Sequence, residues 1–83
     1  MEHNEKRMAV ISIVVRDRSV SQSVNEILSR HGDIIRGRLG VPFQERGLSV
    51  IVILLEADNP KIGAISGALG NLPGVTLRST MLI

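Results

Sequence analysis

Two kinds of hydrophobic rhythm alternate along the chain. Met8 to Val15, "MAVISIVV", is a short apolar run rich in β-branched residues, which predicts a strand. The period changes in "RDRSVSQSVNEILSRHG", where Val20, Val24, Ile27 and Leu28 fall on one helical face. Ser19 and Gln22 have capping-box spacing, and Gly32 stands where a left-handed helix end is expected. "DIIRGRLGVPF" alternates unevenly around Arg36 and Arg38, as in a strand with one solvated side or at a sheet edge, and Pro42 is expected to end or disrupt it. "QERG" reads as a polar turn closing on Gly47. "LSVIVILLEAD" is the most apolar strand, and "GVTLRSTMLI" reads as the last one.

Between those last two lies "IGAISGALGNLPGV", with four glycines among apolar residues. Its spacing fits neither a Walker loop nor a dinucleotide fingerprint, and Asn71 and Pro73 break it too early for a membrane span. A soluble helix remains. Asn59 can cap it, Pro60 suits its first position, and Gly70 with Asn71 can supply a left-handed end. Ile62, Ile65, Leu69 and Leu72 form its core stripe, while Gly63, Gly67 and Gly70 cluster roughly opposite. Glycines there mean either close approach of another backbone or a tolerated exposed face.

The resulting order is β-α-β-β-α-β over residues 1–83, one domain preceded by a short tail, 1–7, expected to be flexible. The fold class is α+β: a ferredoxin-like, split-βαβ sandwich with a four-stranded antiparallel sheet and two helices on one face. Strands one and three, the most apolar, belong at the sheet centre. They are apolar on both sides, with Ala9, Ile11, Ile13 and Val15 against Val10 and Val14, and Val50, Val52 and Leu54 against Ile51, Ile53 and Leu55. Two helices cover only one face, so the other needs a partner. The expectation is a homo-oligomer, dimer or tetramer, formed through the sheet by several of Val10, Val14, Ile51, Ile53 and Leu55, with Gly63, Gly67 and Gly70 as a smaller second contact. The period does not decide which side of each strand meets the helices.

Composition narrows the chemistry. Eighty-three residues form a single small core, burying about 60–65% of the unfolded surface. Without cysteine there is no disulfide, thiolate metal site or cysteine nucleophile. The apolar run near the N-terminus lacks signal-peptide flanks, so a cytoplasmic location and no membrane association are the default expectations. A net charge of +2 and a sole aromatic, Phe43, give neither a basic surplus nor a base-stacking platform. Direct DNA binding by this chain alone is not expected.

No nucleophile elbow, zinc-binding H-E-x-x-H or obvious carboxylate pair is present, so the chain reads as a non-enzyme without a cofactor. His31, in the last turn of the first helix, reads as structural, and His3 falls in the tail; no metal site is expected. Arg16, Asp17, Arg18 and Ser19 form the candidate ligand site. The guanidinium groups of Arg16 and Arg18, joined by those of Arg36 and Arg38 if the loop meets strand two, can bind a small anion beside the free amides after Ser19. The alternative is a set of surface charges paired with Asp17, Glu45 or Glu56.

The segments "RDR", "VNEIL", "RLGVPFQERGLSVIVILLEAD" and above all "NPKIGAISGALGNLPGVTLRS" resemble a family of small proteins known as iron-only hydrogenase system regulators. The family is similar in fold to ACT-like effector domains, including the C-terminal domain of nickel-responsive repressors. The resemblance implies an oligomeric, cytoplasmic regulatory or ligand-sensing module of bacteria that handle hydrogen metabolism. The alternative is a structural oligomerisation or protein-interaction module without a small-molecule ligand. The chain departs from the nickel repressors in having only seven residues before strand one, where they carry a ribbon-helix-helix segment, and only His3 and His31 where they have several histidines and a cysteine. "RDRSVS" also lacks the glycine that ACT domains commonly place after the first strand.

Overall fold

A computed structural model describes residues 5–83. Its elements are β1 (Arg7–Val15), α1 (Ser21–Arg30), β2 (Ile35–Phe43), β3 (Leu48–Ala57), α2 (Asn59–Gly70) and β4 (Val75–Met81), with single 3₁₀ turns before α1, before β2 and between β2 and β3. The sheet order is β2-β3-β1-β4, antiparallel throughout, so the two most apolar strands do occupy the centre. Arg7 belongs to β1, which shortens the expected tail by one residue.

Register assigns the two faces. Ala9 lies opposite Leu55, Ile11 opposite Ile53 and Ile13 opposite Ile51, and directly opposed residues of an antiparallel pair share a face. Ala9, Ile11, Ile13, Ile53 and Leu55 are completely buried and pack with Val24, Ile27 and Leu28 of α1 and Ile62, Ile65 and Leu69 of α2. Each of the valine, leucine and isoleucine side chains contributes roughly 1.5–3 kcal/mol by leaving water. Leu72 and Ile51 pack at the margin of this cluster.

Several local signals act differently from their sequence reading. Asp17, not Ser19, starts the first helical segment: its carboxylate accepts from the Ser19 N–H at 2.9 Å and caps a 3₁₀ turn, Arg18–Val20, that runs into α1. Asp58 rather than Asn59 caps α2, accepting from the Lys61 N–H at 3.0 Å. The carboxylate wins in both places because it is the stronger acceptor for the free amides. Neither Gly32 nor Gly70 is left-handed. The positive-φ glycines are Gly47, at φ 68°, and Gly74, at φ 73°. β2 continues through Pro42 to Phe43, which an edge strand tolerates because alternate N–H groups there face away from the sheet. A register shift between Ile35 and Gly37 sets the start of that strand.

Candidate functional site

Two surfaces emerge from this frame, an uncovered sheet face and a cleft at one end of the helix layer. On the first, Val10 lies opposite Leu54 and Val14 opposite Val50, while Val52 sits between Ser12 and Leu39. Val10, Val14, Val50, Val52 and Leu54 are only half-buried, and Leu39 and Val41 on β2 are 61% and 39% exposed. The apolar patch therefore spans β1, β3 and β2. Toward β4 it gives way to Thr76, Arg78 and Thr80.

For β3 the sequence-based interface assignment is reversed. Ile53 and Leu55 belong to the helix-covered core, and Ile51 lies on the same side, so none of the three is presented by the open face. Val10 and Val14 do lie on it. The signal that distinguishes the faces is polar: Glu56 has the parity of Val50, Val52 and Leu54, and Ser12 that of Val10 and Val14. Gly63, Gly67 and Gly70 form an exposed α2 face. No atom approaches within 4 Å of a Cβ built at Gly63 or Gly67, and at Gly70 the nearest is Leu77 Cδ2 at 3.9 Å. Among the described residues, no backbone outside the helix makes the close approach that glycines permit.

The four arginines do not converge. Arg16 Nη1 donates to Thr76 Oγ1 at 2.7 Å, and its backbone N–H donates to the Gly74 carbonyl at 2.8 Å, tying the loop after β1 to the start of β4. Arg36 pairs with Glu56 at 2.9 Å, and Arg38 donates to Asn25 Oδ1 at 2.6 Å. Arg18 points elsewhere, into a cleft of about 440 Å³ between the start of α1 and the β2–β3 turn, with Ser21, Gln44 and Ser49 as its other polar side chains. Among the described residues Arg18 has no acidic partner.

Asp17 and Ser19 bind each other. Oδ1 of Asp17 accepts from the Ser19 hydroxyl at 2.7 Å as well as from its N–H, and these two bonds, the hydroxyl first, hold the carboxyl below its ordinary value of 3.8. The amide proposed for an external anion is therefore already used by an internal one. With the folded value depressed, the carboxylate's contribution to stability is present above pH 3.8 and is lost as pH falls through the folded value. Removing the hydroxyl in Ser19→Ala should raise the Asp17 value toward 3.8 without abolishing the depression. Carboxyl-detected NMR titration reads this directly, and an unchanged value would contradict it.

Among the described residues no group of three His, Cys, Asp or Glu side chains could hold a metal, and no helix is long and apolar enough to cross a membrane. His31 follows the last residue of α1, its N–H donating to the carbonyls of Ile27 and Leu28, and His3 lies outside the described residues.

Comparison with known proteins gives this arrangement a lineage. Uncharacterized protein TM1266 from Thermotoga maritima is 36% identical, with a TM-score of 0.92 over 95% of this chain and 100% of that one. The C-terminal domain of the MgtC protein from Mycobacterium tuberculosis shares the fold at 13% identity, with a TM-score of 0.72 over 98% of this chain and 93% of that one. So does CPII, a nitrogen regulatory PII-like protein from Thiomonas intermedia K12 bound to ADP, AMP and bicarbonate, at 12% identity and a TM-score of 0.51 over 95% and 99% of the two chains. No curated protein matches. The family model "Iron-only hydrogenase system regulator, putative" matches residues 7–79, nearly the whole of the described fold. The chain belongs to this TM1266-like family.

Proposed function

We propose that the chain is a non-enzymatic regulatory module of an iron-only hydrogenase system that works as a homo-oligomer, a dimer or tetramer joined through the open sheet face, and senses a small anionic ligand. The observation that carries the assembly is the patch of Val10, Val14, Val50, Val52 and Leu54, extended by exposed Leu39 and Val41. A monomer would leave this patch in water, and contiguous apolar surface of this kind marks an interaction site. Burying several of these side chains, at roughly 1.5–3 kcal/mol each, offsets much of an association entropy of about 4–15 kcal/mol. A second copy satisfies the patch because an isologous contact matches apolar surface with itself. The Gly63, Gly67 and Gly70 face offers a smaller second contact, as a tetramer would need.

Two observations support ligand sensing. Among the described residues an arginine without an acidic partner lines a cleft, and CPII, which shares the fold, is bound to ADP, AMP and bicarbonate. A ligand that binds the native chain and not the unfolded one must stabilise the fold, which a thermal-shift measurement reads. Assembly is tested by sedimentation at low micromolar concentration, where a mass of two or four chains is expected. A fully folded monomer there would rule the assembly out.

A further inference from the structure

The helix layer leaves a groove beside β2. The Arg18 cleft runs into a narrower cavity of about 230 Å³ between α1 and β2, the two sharing Val15, Ser21, Pro42 and Ser49. Gly40 lines the narrower part, and a Cβ built there meets nothing within 4 Å. The narrower part thus has room at Gly40, and Val15, Val24, Pro42 and Ile51 give it an apolar wall. The polar groups are a guanidinium at the mouth, the Ser21 and Ser49 hydroxyls, and the Gln44 amide. Arg38, farther in, is held by Asn25. Among the described residues no carboxylate side chain lines either cavity. The neighbouring carboxylate, Asp17, has its Oδ1 engaged by Ser19.

From this we infer that the groove binds a small aliphatic carboxylate, its carboxylate on Arg18 and its short chain over Val15 and Pro42 toward Gly40. A guanidinium fork matches the two oxygens of a carboxylate, and ligand sites characteristically combine an apolar wall with a few polar groups that fix orientation. Among the described residues neither Arg18 at the mouth nor Arg38 farther in has an acidic partner, since Arg38 is bonded to the neutral Asn25 amide, so the groove is positive and favours an anion. The lack of an acidic lining group restricts what the aliphatic chain can carry: an α-amino group would enter the groove as an ammonium with no carboxylate to receive it, and a desolvated charge without a partner is costly. The groove therefore selects carboxylic acids against amino acids of the same skeleton. This inference rests on the ligand-sensing reading and supplies its site and ligand class.

The test is an amide NMR titration of the whole chain with butyrate, 2-aminobutyrate, acetate and inorganic phosphate. Butyrate is expected to shift the amides of Ser21, Gln44 and Ser49 and to bind at least tenfold more tightly than 2-aminobutyrate. Arg18→Gln, at an exposed position, should weaken butyrate at least tenfold. Gly40→Val, which fills the narrower part without altering charge, should weaken butyrate more than acetate. The inference is overturned if butyrate binds Arg18→Gln as it binds the parent, or if 2-aminobutyrate binds equally well. Phosphate or acetate shifting the Arg16 and Thr76 amides instead would also overturn it, while leaving anion sensing in place. If no anion shifts any amide, both the groove and the ligand-sensing reading fall, whereas assembly is decided separately by sedimentation.

Discussion

Ile53→Lys is expected to leave the chain unfolded, whereas Val52→Lys, one residue away, should give a folded monomer. Ile53 is completely buried between Ile11 of β1 and the helices. Its replacement removes an aliphatic core side chain, worth about 2–5 kcal/mol, and places an ammonium in apolar surroundings without a counter-charge, at a further cost of several kcal/mol. Together these match most of the stability of a small domain, about 5–15 kcal/mol. Val52 is on the other face, between Ser12 and Leu39, where a lysine in the monomer reaches water along its flexible stem. The intramolecular cost there is small, and the charge acts on the proposed contact between copies. Circular dichroism and sedimentation of the two variants separate these outcomes. A folded Ile53→Lys would refute the assignment of faces, and a Val52→Lys that remains oligomeric would refute the interface.

The second large effect is expected at Gly74. Its φ of 73° disfavours any side chain, and a Cβ there would lie 2.7 Å from the Asp17 Cβ and 3.3 Å from the Asp17 backbone nitrogen. The conformational cost for alanine is about 1–2 kcal/mol, and relieving an overpacked contact against backbone costs about 1–3 kcal/mol more. Movement of Gly74 also strains the bond its carbonyl accepts from the Arg16 N–H. Gly47 provides the control, since it has a similar φ, 68°, but open space around its missing Cβ. Gly47→Ala should therefore lose only the conformational part. Thermal denaturation should place Gly74→Ala at least roughly 10 °C below the parent and clearly below Gly47→Ala. Equal losses for the two would show that the Asp17 contact does not matter.

The order of elements and the central position of β1 and β3 were legible in the chain because they depend on periodicity and on how densely apolar residues are strung together, both of them local properties. Gly47 was legible too, as the closing residue of a polar turn. The faces were harder. Strands apolar on both sides carry little alternation, so the decision rested on Ser12 and Glu56, single polar residues whose parity is easily outweighed by the surrounding valines and isoleucines. Gly74 could not be distinguished from Gly70 without knowing that Asp17 packs against it, 57 residues away in sequence. Arg18 was named from charge alone, but its separation from Arg16 depends on one side chain turning to β4 and the other to the β2–β3 turn. Gln44, Ser49 and Gly40 had no signal of their own. They join Arg18 because the 3₁₀ turn after Asp17 brings the start of α1 beside that end of the sheet, a relationship that exists only after folding.

The edge strand β2 also restricts one route of association. An unblocked edge is a template to which another strand can add, and another to that, with nothing to stop the ribbon. Here Pro42 lacks a donor, the register shift between Ile35 and Gly37 interrupts the ladder, and Arg36 and Arg38 place charge along the same border. Each feature penalises lateral growth while leaving the broad surface beside it untouched. A chain built this way resists open-ended fibre growth from its β2 border, even though its two central strands are apolar on both sides.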